Sequence, residues 1–199
     1  MCGGSGTRLE SQREKPLHPI GGVPMVDRVA TALEASRIET IYAAVSPNAP
    51  ETRAHLERSS RLETIETDGD GYVPDLLSVL DGGELRTPVL TVAADLPLLE
   101  AAAVDRVLAT HGDVNRSRTV CVPAALKRRL GASVESRLDS NDHLAPTGLN
   151  VVGTTDETED MIDVRYTYRL AVNVNRLQDS RLAKALVDRS ESVDRGRID

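Results

Sequence analysis

At 199 residues the chain is long enough for one domain with a substantial apolar core. Its formal net charge of −7 argues against a nucleic-acid partner, because surfaces that bind nucleic acids are basic. Two cysteines are too few for a disulfide framework, and the sequence has no apolar run of membrane-spanning length and no signal-peptide pattern. The sequence alone therefore predicts a cytoplasmic protein without a membrane segment.

The first residues of the chain form a glycine-rich segment. Gly3, Gly4 and Gly6 let the backbone turn with positive φ and bring bare N–H groups close to an anion. Arg8 adds a planar fork suited to phosphate oxygens, and Lys15 adds a compact point charge. The segment matches neither the P-loop spacing nor the dinucleotide fingerprint. We interpret it as a nucleoside triphosphate site, with a flexible, incidentally charged N-terminus as the alternative.

Apolar spacing then predicts alternating helices and strands. The helices are expected near 26–33, 52–61, 73–80, 104–108 and 182–187. The strands are expected at 41–45, 62–66, 89–94, 119–122, 149–152 and 170–175. Residues 156–163 carry five acidic side chains and are expected to be a solvated loop, and residues 190–199 a frayed tail.

Strands that alternate with helices predict the α/β class, with a Rossmann-like, doubly wound and mostly parallel sheet in a single domain over residues 1–199. In such sheets ligands bind beyond the carboxyl ends of the strands. The loops 46–48 and 68–72 and the residue Asp95 all follow predicted strands. They are therefore the expected positions of ligand-binding side chains.

Three of these side chains are candidates for a chemical role in a ligand site. The Asp95 carboxylate is suited to hold Mg²⁺ against phosphates, and its alternative role is to cap the helix that follows. The Asp68 carboxylate and the Asn48 amide could recognise a base, since a carboxylate accepts from the two adjacent donors of guanine. For both residues the alternative to base recognition is a structural role, in which the side chain stabilises a turn.

The chain resembles the nucleotidyltransferases, in which a Gly-Gly-x-Gly-Thr-Arg-Leu loop precedes Lys-Pro-Leu. Within that superfamily, which includes the molybdenum-cofactor guanylyltransferases, it is most similar to the archaeal GTP:adenosylcobinamide-phosphate guanylyltransferases. The stretches that carry this resemblance are Gly3–Arg8, Lys15–Leu17, Ser46–Thr52, Asp68–Tyr72, Asp95–Leu96, Pro146–Val152 and Asn173–Asn175. The Ser46–Thr52 and Asp68–Tyr72 loops distinguish it from the molybdenum-cofactor enzymes.

The resemblance implies transfer of GMP from GTP to adenosylcobinamide phosphate, with Mg²⁺ as cofactor and a homodimer as one state of assembly. Arg8 and Lys15 would stabilise phosphate charge, and Asp95 would hold the metal, with Asn173 or Asn175 as a weaker second candidate for that role. Gly148 and Asn150 would contact the acceptor. The implied nucleotide contacts are Gly3, Gly4, Ser5, Gly6, Thr7, Arg8, Lys15, Asn48, Asp68, Gly69 and Asp95.

Two alternatives stay open: another small NTP transferase, of the molybdenum-cofactor or sugar-phosphate kind, and a non-catalytic nucleotide-binding protein. The glycine-rich loop of the superfamily follows a buried strand, whereas only Met1 and Cys2 precede it here. We therefore expect a gap beside the strand that ends at Ala94, and a chain that is poorly soluble or inactive unless that gap is filled.

Overall fold

A computed structural model of the chain describes residues 1–2, 9, 13–59, 61–83, 85–112, 114–154 and 161–195. Helices and strands alternate along most of the chain, as the sequence predicts. The strands are β1 Pro19–Ile20, β2 Val23–Pro24, β3 Tyr42–Val45, β4 Glu63–Glu66, β5 Val89–Val92, β6 Arg118–Pro123, β7 Leu144–Val152 and β8 Met161–Val164. The helices are α1 Met25–Glu34, α2 Pro50–Ser59, α3 Tyr72–Asp81, α4 Ala101–His111, α5 Ala124–Leu130, α6 Tyr168–Ala171 and α7 Leu177–Arg195, with a 3-10 turn at Lys15–Leu17.

The described strands form three sheets. The largest has the order β5-β7-β6-β8, in which β7 runs antiparallel to both neighbours and β8 runs parallel to β6. β3 and β4 form a parallel pair, and β1 and β2 form a short antiparallel hairpin. The α/β class is confirmed, and the sheet is mixed because β7 reverses direction within it.

The main core lies between the largest sheet and the helices α1 and α4. Valine, leucine and alanine fill it, which follows from a chain that has no Phe and no Trp. Val104 and Val107 of α4 pack with Val120 and Val122 of β6, and each of these side chains is at most 1% exposed. Burial of each such side chain contributes roughly 1.5–3 kcal/mol to folding.

A cavity of about 690 Å³ separates β3 from β5. It is lined by both strands and by apolar side chains of α1 and α3, including Val29, Leu33 and Val79. At one end of the cavity Met1 and Cys2 lie between β3 and β5 and make hydrogen bonds on both sides. The expected gap beside the strand leading to Ala94 is therefore present.

The hydrogen bonds of Met1 and Cys2 have the pattern of a parallel ladder. The Met1 amino group donates to Val92 O (3.0 Å), and Ala94 N donates to Met1 O (3.3 Å). On the other side Cys2 N donates to Ala44 O (2.8 Å). These two residues thus occupy a strand position between β3 and β5, and the cavity continues that position.

The strand expected at 170–175 is wrong. Thr167 caps α6 by accepting from Arg169 N, so the helix takes up the first part of this run. Val172 and Val174 are fully buried, whereas Asn173 and Asn175 make side-chain hydrogen bonds elsewhere. The alternation of apolar and polar residues therefore reflects a segment that lies between the core and a polar site. It does not reflect a strand paired in a sheet.

Two further expectations are corrected at the end of the chain. Met161–Val164 forms β8 instead of a solvated loop, and Asp163 is 9% exposed with a 2.6 Å hydrogen bond from Arg165. α7 continues beyond residue 190 to Arg195, although fraying was expected there. Residues 155–160 and 196–199 lie outside the described part. No helix among the described residues is long and apolar enough to cross a membrane.

Candidate functional site

Lys15 and Asp95 form an ion pair at the carboxyl end of β5. Lys15 Nζ lies 2.6 Å from Asp95 Oδ2, and it also donates to Asn175 Oδ1 at 2.8 Å. The two charged side chains are 18% and 15% exposed, so the pair is shielded but still reachable from solvent. The predicted phosphate-binding lysine and the predicted metal-binding carboxylate are thus brought together.

Glu14 holds the segment that carries Lys15. Its carboxylate accepts from Glu51 N (2.8 Å), Thr52 N (2.7 Å) and Thr52 Oγ1 (2.6 Å). These N–H groups belong to the first turn of α2, where a carboxylate satisfies unpaired donors and interacts favourably with the helix dipole. Sequence reasoning missed this role, because nothing in the sequence links Glu14 to a helix 37 positions away.

Asn173 contacts the other oxygen of Asp95. Its Nδ2 donates to Asp95 Oδ1 (3.2 Å) and to Thr147 O (2.7 Å), while its Oδ1 accepts from Lys127 Nζ (2.9 Å). An ammonium group only donates, so the Lys127 contact fixes which end of the amide faces Asp95. Asn175 is oriented the other way, with its oxygen toward Lys15.

Asp179 holds the backbone of the segment that carries Asn173 and Asn175. It is fully buried, and its Oδ2 accepts from Asn175 N (3.1 Å), Arg176 N (2.9 Å) and Ser133 Oγ (2.7 Å). Asp179 therefore fixes the backbone at Asn175 and Arg176, and no pattern in the sequence predicts this role.

The two loops predicted to recognise a base lie against each other. Asn48 Nδ2 donates to Gly69 O (3.3 Å). Gly69 has φ of +81°, and an added Cβ would lie 2.7 Å from Ser46 Oγ, so only glycine fits this contact. Asp68 and Asn48 are both exposed at this junction, as a site open to a ligand requires.

Asp75 orders the Asp68–Gly71 loop. It is 3% exposed, and its Oδ1 accepts from Gly69 N (2.9 Å) and Asp70 N (3.1 Å). Asp75 also lines a cavity of about 250 Å³ together with Lys15, Tyr72 and Asp95. The Asp68–Gly71 loop and the ion pair therefore border one space.

Gly148 and Asn150 both lie on β7 and contact different neighbours. Gly148 O accepts from Ala93 N (2.8 Å), and an added Cβ would lie 2.8 Å from Ala93 Cβ and 3.7 Å from Asn173 Nδ2. Asn150 lies further along β7, where its Nδ2 donates to Tyr72 Oη (3.3 Å). Gly148 is thus beside Ala93 and near Asn173, whereas Asn150 is linked to the cavity through Tyr72.

The glycine-rich loop and its arginine lie outside the described residues: Gly3, Gly4, Ser5, Gly6, Thr7 and Arg8. Cys2, which precedes the loop, is buried and is a free cysteine. Leu9, which follows it, is 1% exposed and packs with Ile20 and Met25. Both flanks of the loop are therefore anchored in the core.

The lysines and histidines near the site include groups with displaced pKa values. Burial lowers the pKa of Lys127, against the opposing influence of Asp179, Asp95 and Glu135. Burial, and secondarily Arg13, lowers the pKa of His18, whose Nε2 lies 2.7 Å from Ser180 Oγ. Lys127 is thus a buried amine surrounded by carboxylates, a setting found at functional sites and in structural networks alike.

The family is shown by comparison with known proteins. The model of the MobA-like NTP transferase domain matches residues 1–192, and the chain therefore belongs to this family of nucleotidyltransferases. It is 29% identical to the adenosylcobinamide-phosphate guanylyltransferase of Methanocaldococcus jannaschii over 195 residues, which is 94% of this chain and 95% of that protein.

Further matches are partial or have low sequence identity. The bifunctional protein GlmU of Enterococcus faecalis is 32% identical over 121 residues, which is 60% of this chain but only 26% of that protein. Among solved structures, 4-diphosphocytidyl-2C-methyl-D-erythritol synthase aligns with a TM-score of 0.65 at 13% identity, over 87% of this chain and 94% of that chain. CMP:2-keto-3-deoxy-manno-octonic acid synthetase complexed with CTP aligns with a TM-score of 0.53 at 16% identity, over 74% and 71%. At these identities the structures show the shared fold alone.

Proposed function

We propose that this chain transfers GMP from GTP to adenosylcobinamide phosphate, giving adenosylcobinamide-GDP and pyrophosphate. An oxygen of the acceptor phosphate attacks the α-phosphorus of GTP, and the bond from that phosphorus to the β-phosphate oxygen breaks. The observation that carries the proposal is the match to the archaeal guanylyltransferase along nearly the full length of both chains. The ion pair of Lys15 with Asp95 supports a phosphoryl-transfer site.

Phosphate charge would be stabilised by Lys15 together with Arg8. The contacts with Asp95 and Asn175 use two of the three N–H donors of the Lys15 ammonium. A third donor can go to a phosphate oxygen in the adjoining cavity. Such a transfer depends mostly on positioning and charge stabilisation and needs no covalent intermediate.

A magnesium site would use Oδ2 of Asp95 and Oδ1 of Asn175. The positive charge of Lys15 lies within hydrogen-bond distance of both oxygens, so they already favour a cation. Mg²⁺ usually takes only one or two protein ligands, and water and phosphate oxygens complete its coordination. When bound, Mg²⁺ would neutralise part of the triphosphate charge. Of the two asparagines, Asn175 is the better second ligand, because its oxygen and Asp95 Oδ2 both face Lys15 Nζ, whereas Asn173 turns its NH2 group toward Asp95.

Guanine would bind at the junction of the Asn48 and Asp68 loops. An exposed carboxylate at Asp68 accepts from the ring N–H and the exocyclic amine of guanine, which adenine does not offer in this arrangement. The contact of Asn48 with Gly69 fixes the spacing of the two loops. Guanine selectivity would then depend mainly on Asp68.

The acceptor would approach from the β7 side. Gly148 packs so closely against Ala93 that an added Cβ would lie 2.8 Å from Ala93 Cβ, and this contact is near Asn173, whose amide reaches Asp95. Asn150 and Tyr72 would contact a more distant part of the acceptor.

A second candidate is transfer of a nucleotide to a different small phosphate acceptor. It is favoured by the family match over residues 1–192, which names an NTP transferase domain but no acceptor. The two candidates share the nucleotide chemistry and differ in the acceptor, so an acceptor comparison separates them.

The test is pyrophosphate release with GTP and Mg²⁺ in the presence of adenosylcobinamide phosphate, a sugar 1-phosphate or molybdopterin. We expect rapid release only with the corrinoid. Asp95→Asn should abolish it, whereas Asp105→Asn on the surface of α4 should not. Faster release with another acceptor would refute the corrinoid assignment, and no release with any acceptor would favour a non-catalytic nucleotide-binding protein.

A further inference from the structure

The chain uses lysine sparingly, with three lysines against 21 arginines. One of them, Lys184, lies on the exposed side of α7 and pairs with Asp188. The other two, Lys15 and Lys127, both belong to the hydrogen-bond network around Asp95. In a chain that otherwise favours arginine, this placement indicates that the network needs a compact ammonium group.

Lys127 has an environment in which arginine would not fit. It is 3% exposed, and its Nζ donates to Ala171 O and Asn173 Oδ1, both at 2.9 Å. A guanidinium is planar and wider, with five donors in a fixed fork, and a buried site made for one ammonium leaves several of them unpaired. Lysine also suits burial because its pKa shifts readily, which agrees with the lowered pKa of Lys127.

The network passes from Lys127 to Asp95 through one amide. Lys127 fixes the Asn173 oxygen, so the Asn173 nitrogen faces Asp95 Oδ1 at 3.2 Å. With Oδ1 engaged in this way, Oδ2 is the Asp95 oxygen that faces Lys15.

We propose that Lys127 is a positioning residue, which fixes Asn173 and through it Asp95, so that Asp95 Oδ2 and Asn175 Oδ1 are presented to a divalent cation and the nucleotide. The inference rests on the proposed nucleotidyl transfer at this site. Partners that orient metal ligands typically change metal affinity or activity by about 10–100-fold when they are removed.

The direction of the effect on metal affinity distinguishes positioning from a simple charge effect. If Lys127 acted only as a nearby positive charge, its removal would strengthen cation binding, because a repulsion is lost. If Lys127 acts by fixing Asn173 and Asp95, its removal weakens cation binding. Asn173→Leu breaks the same link without any change in charge and should also weaken it.

The experiment measures Mn²⁺ affinity by electron paramagnetic resonance for the wild type, Lys127→Met, Asn173→Leu and, as the matched control, Lys184→Met. We expect about tenfold weaker binding in the first two variants and no change in the control. Turnover should fall by a similar factor while the KM for GTP stays within about twofold. Unchanged or tighter Mn²⁺ binding in a variant that still melts cooperatively would overturn the proposal.

A measurement on the wild type covers the case in which these variants do not fold. With lysine labelled at Cε, the spectrum holds one signal for each of the three lysines. Adding Mg²⁺ and GTP should shift the Lys15 and Lys127 signals and leave that of Lys184 unchanged. A shift of Lys15 without one of Lys127 would overturn the proposal, and so would no shift at either. If the shifts occur but no acceptor is guanylylated, the proposed function fails and the positioning role stands.

Discussion

The Nζ atom of Lys15 lies 2.6 Å from Oδ2 of Asp95, although 80 positions separate the two residues. Different contacts hold the two segments. Glu14 ties the Lys15 segment to α2, and Val174 N donates to Asp95 O (3.0 Å) in the other segment. The pair places a movable positive charge beside a fixed negative one. In the proposed reaction, such an arrangement would follow the charge that develops as pyrophosphate leaves.

Replacing Lys15 with Ala is expected to lower turnover far more than GTP affinity. The reason is that a charge acting mainly in the transition state contributes to kcat and little to ground-state binding. Steady-state kinetics of pyrophosphate release and calorimetric GTP binding measure the two quantities. An equal loss in both would make Lys15 a binding residue only.

Replacing Asp68 with Asn should weaken GTP binding selectively. One acceptor oxygen becomes a donor that faces the donors of guanine, at a cost of about 1–3 kcal/mol. Titration with GTP and with ATP measures the effect, and Asp70→Asn in the same loop is the control. If GTP and ATP bind equally well to the unaltered chain, guanine is not recognised here.

Replacing Glu14 with Gln should destabilise the chain and slow turnover together. The amide group keeps one acceptor oxygen and places a donor among the three donors of Glu51 and Thr52. We expect a loss of about 1–3 kcal/mol in the free energy of unfolding, measured by urea denaturation. Glu51→Gln, at an exposed neighbouring carboxylate, is the control, and equal effects of the two changes would show that Glu14 is not an anchor.

Filling the cavity between β3 and β5 should stabilise the chain. An added N-terminal segment of about five apolar residues would continue the ladder of Met1 with Val92 and Ala94, and it would bury apolar surface on both sides. A gain of about 2 kcal/mol raises the melting temperature of a chain of this size by roughly 4–8 °C. A Ser- and Gly-rich segment of equal length is the control. Identical melting of the two versions would show that the cavity does not accept a strand.

Stability should fall in mild acid because of His111. Burial, and secondarily Arg118, lowers the pKa of this 4% exposed side chain below 6.5. The unfolded chain therefore takes up a proton first, and stability is lost as the pH falls from about 6.5 through the lower folded pKa. His111→Gln should reduce this loss in urea titrations at about pH 7.5 and pH 5.5, whereas exposed His143→Gln should not. The remaining loss includes a contribution from His18, whose pKa is also lowered.

The sequence predicts most of the alternating elements, because the apolar spacing of α1, α4 and β5 directly reflects which of their faces are buried. It also predicts the meeting of Lys15 with Asp95 and of Asn48 with the Gly69 loop, since loops after neighbouring strands converge. The sequence-based prediction fails at residues 170–175. There the valines face the core and the asparagines face the polar site, so apolar and polar residues alternate as they would in a strand.

The supporting residues could not be predicted. Glu14, Asp75, Lys127 and Asp179 act through contacts that join distant segments, and a single charged residue has no local pattern that reports its partner. Their roles depend on burial and geometry that appear only in the folded chain.

The most direct test of the central claim follows GTP labelled at its α-phosphorus in the presence of adenosylcobinamide phosphate and Mg²⁺. The account predicts that the label moves to the corrinoid, that unlabelled pyrophosphate is released in equal amount, and that Lys15→Ala and Asp95→Asn each prevent the transfer. Label that stays in GTP, or that moves equally well in the Asp95→Asn variant, would contradict it.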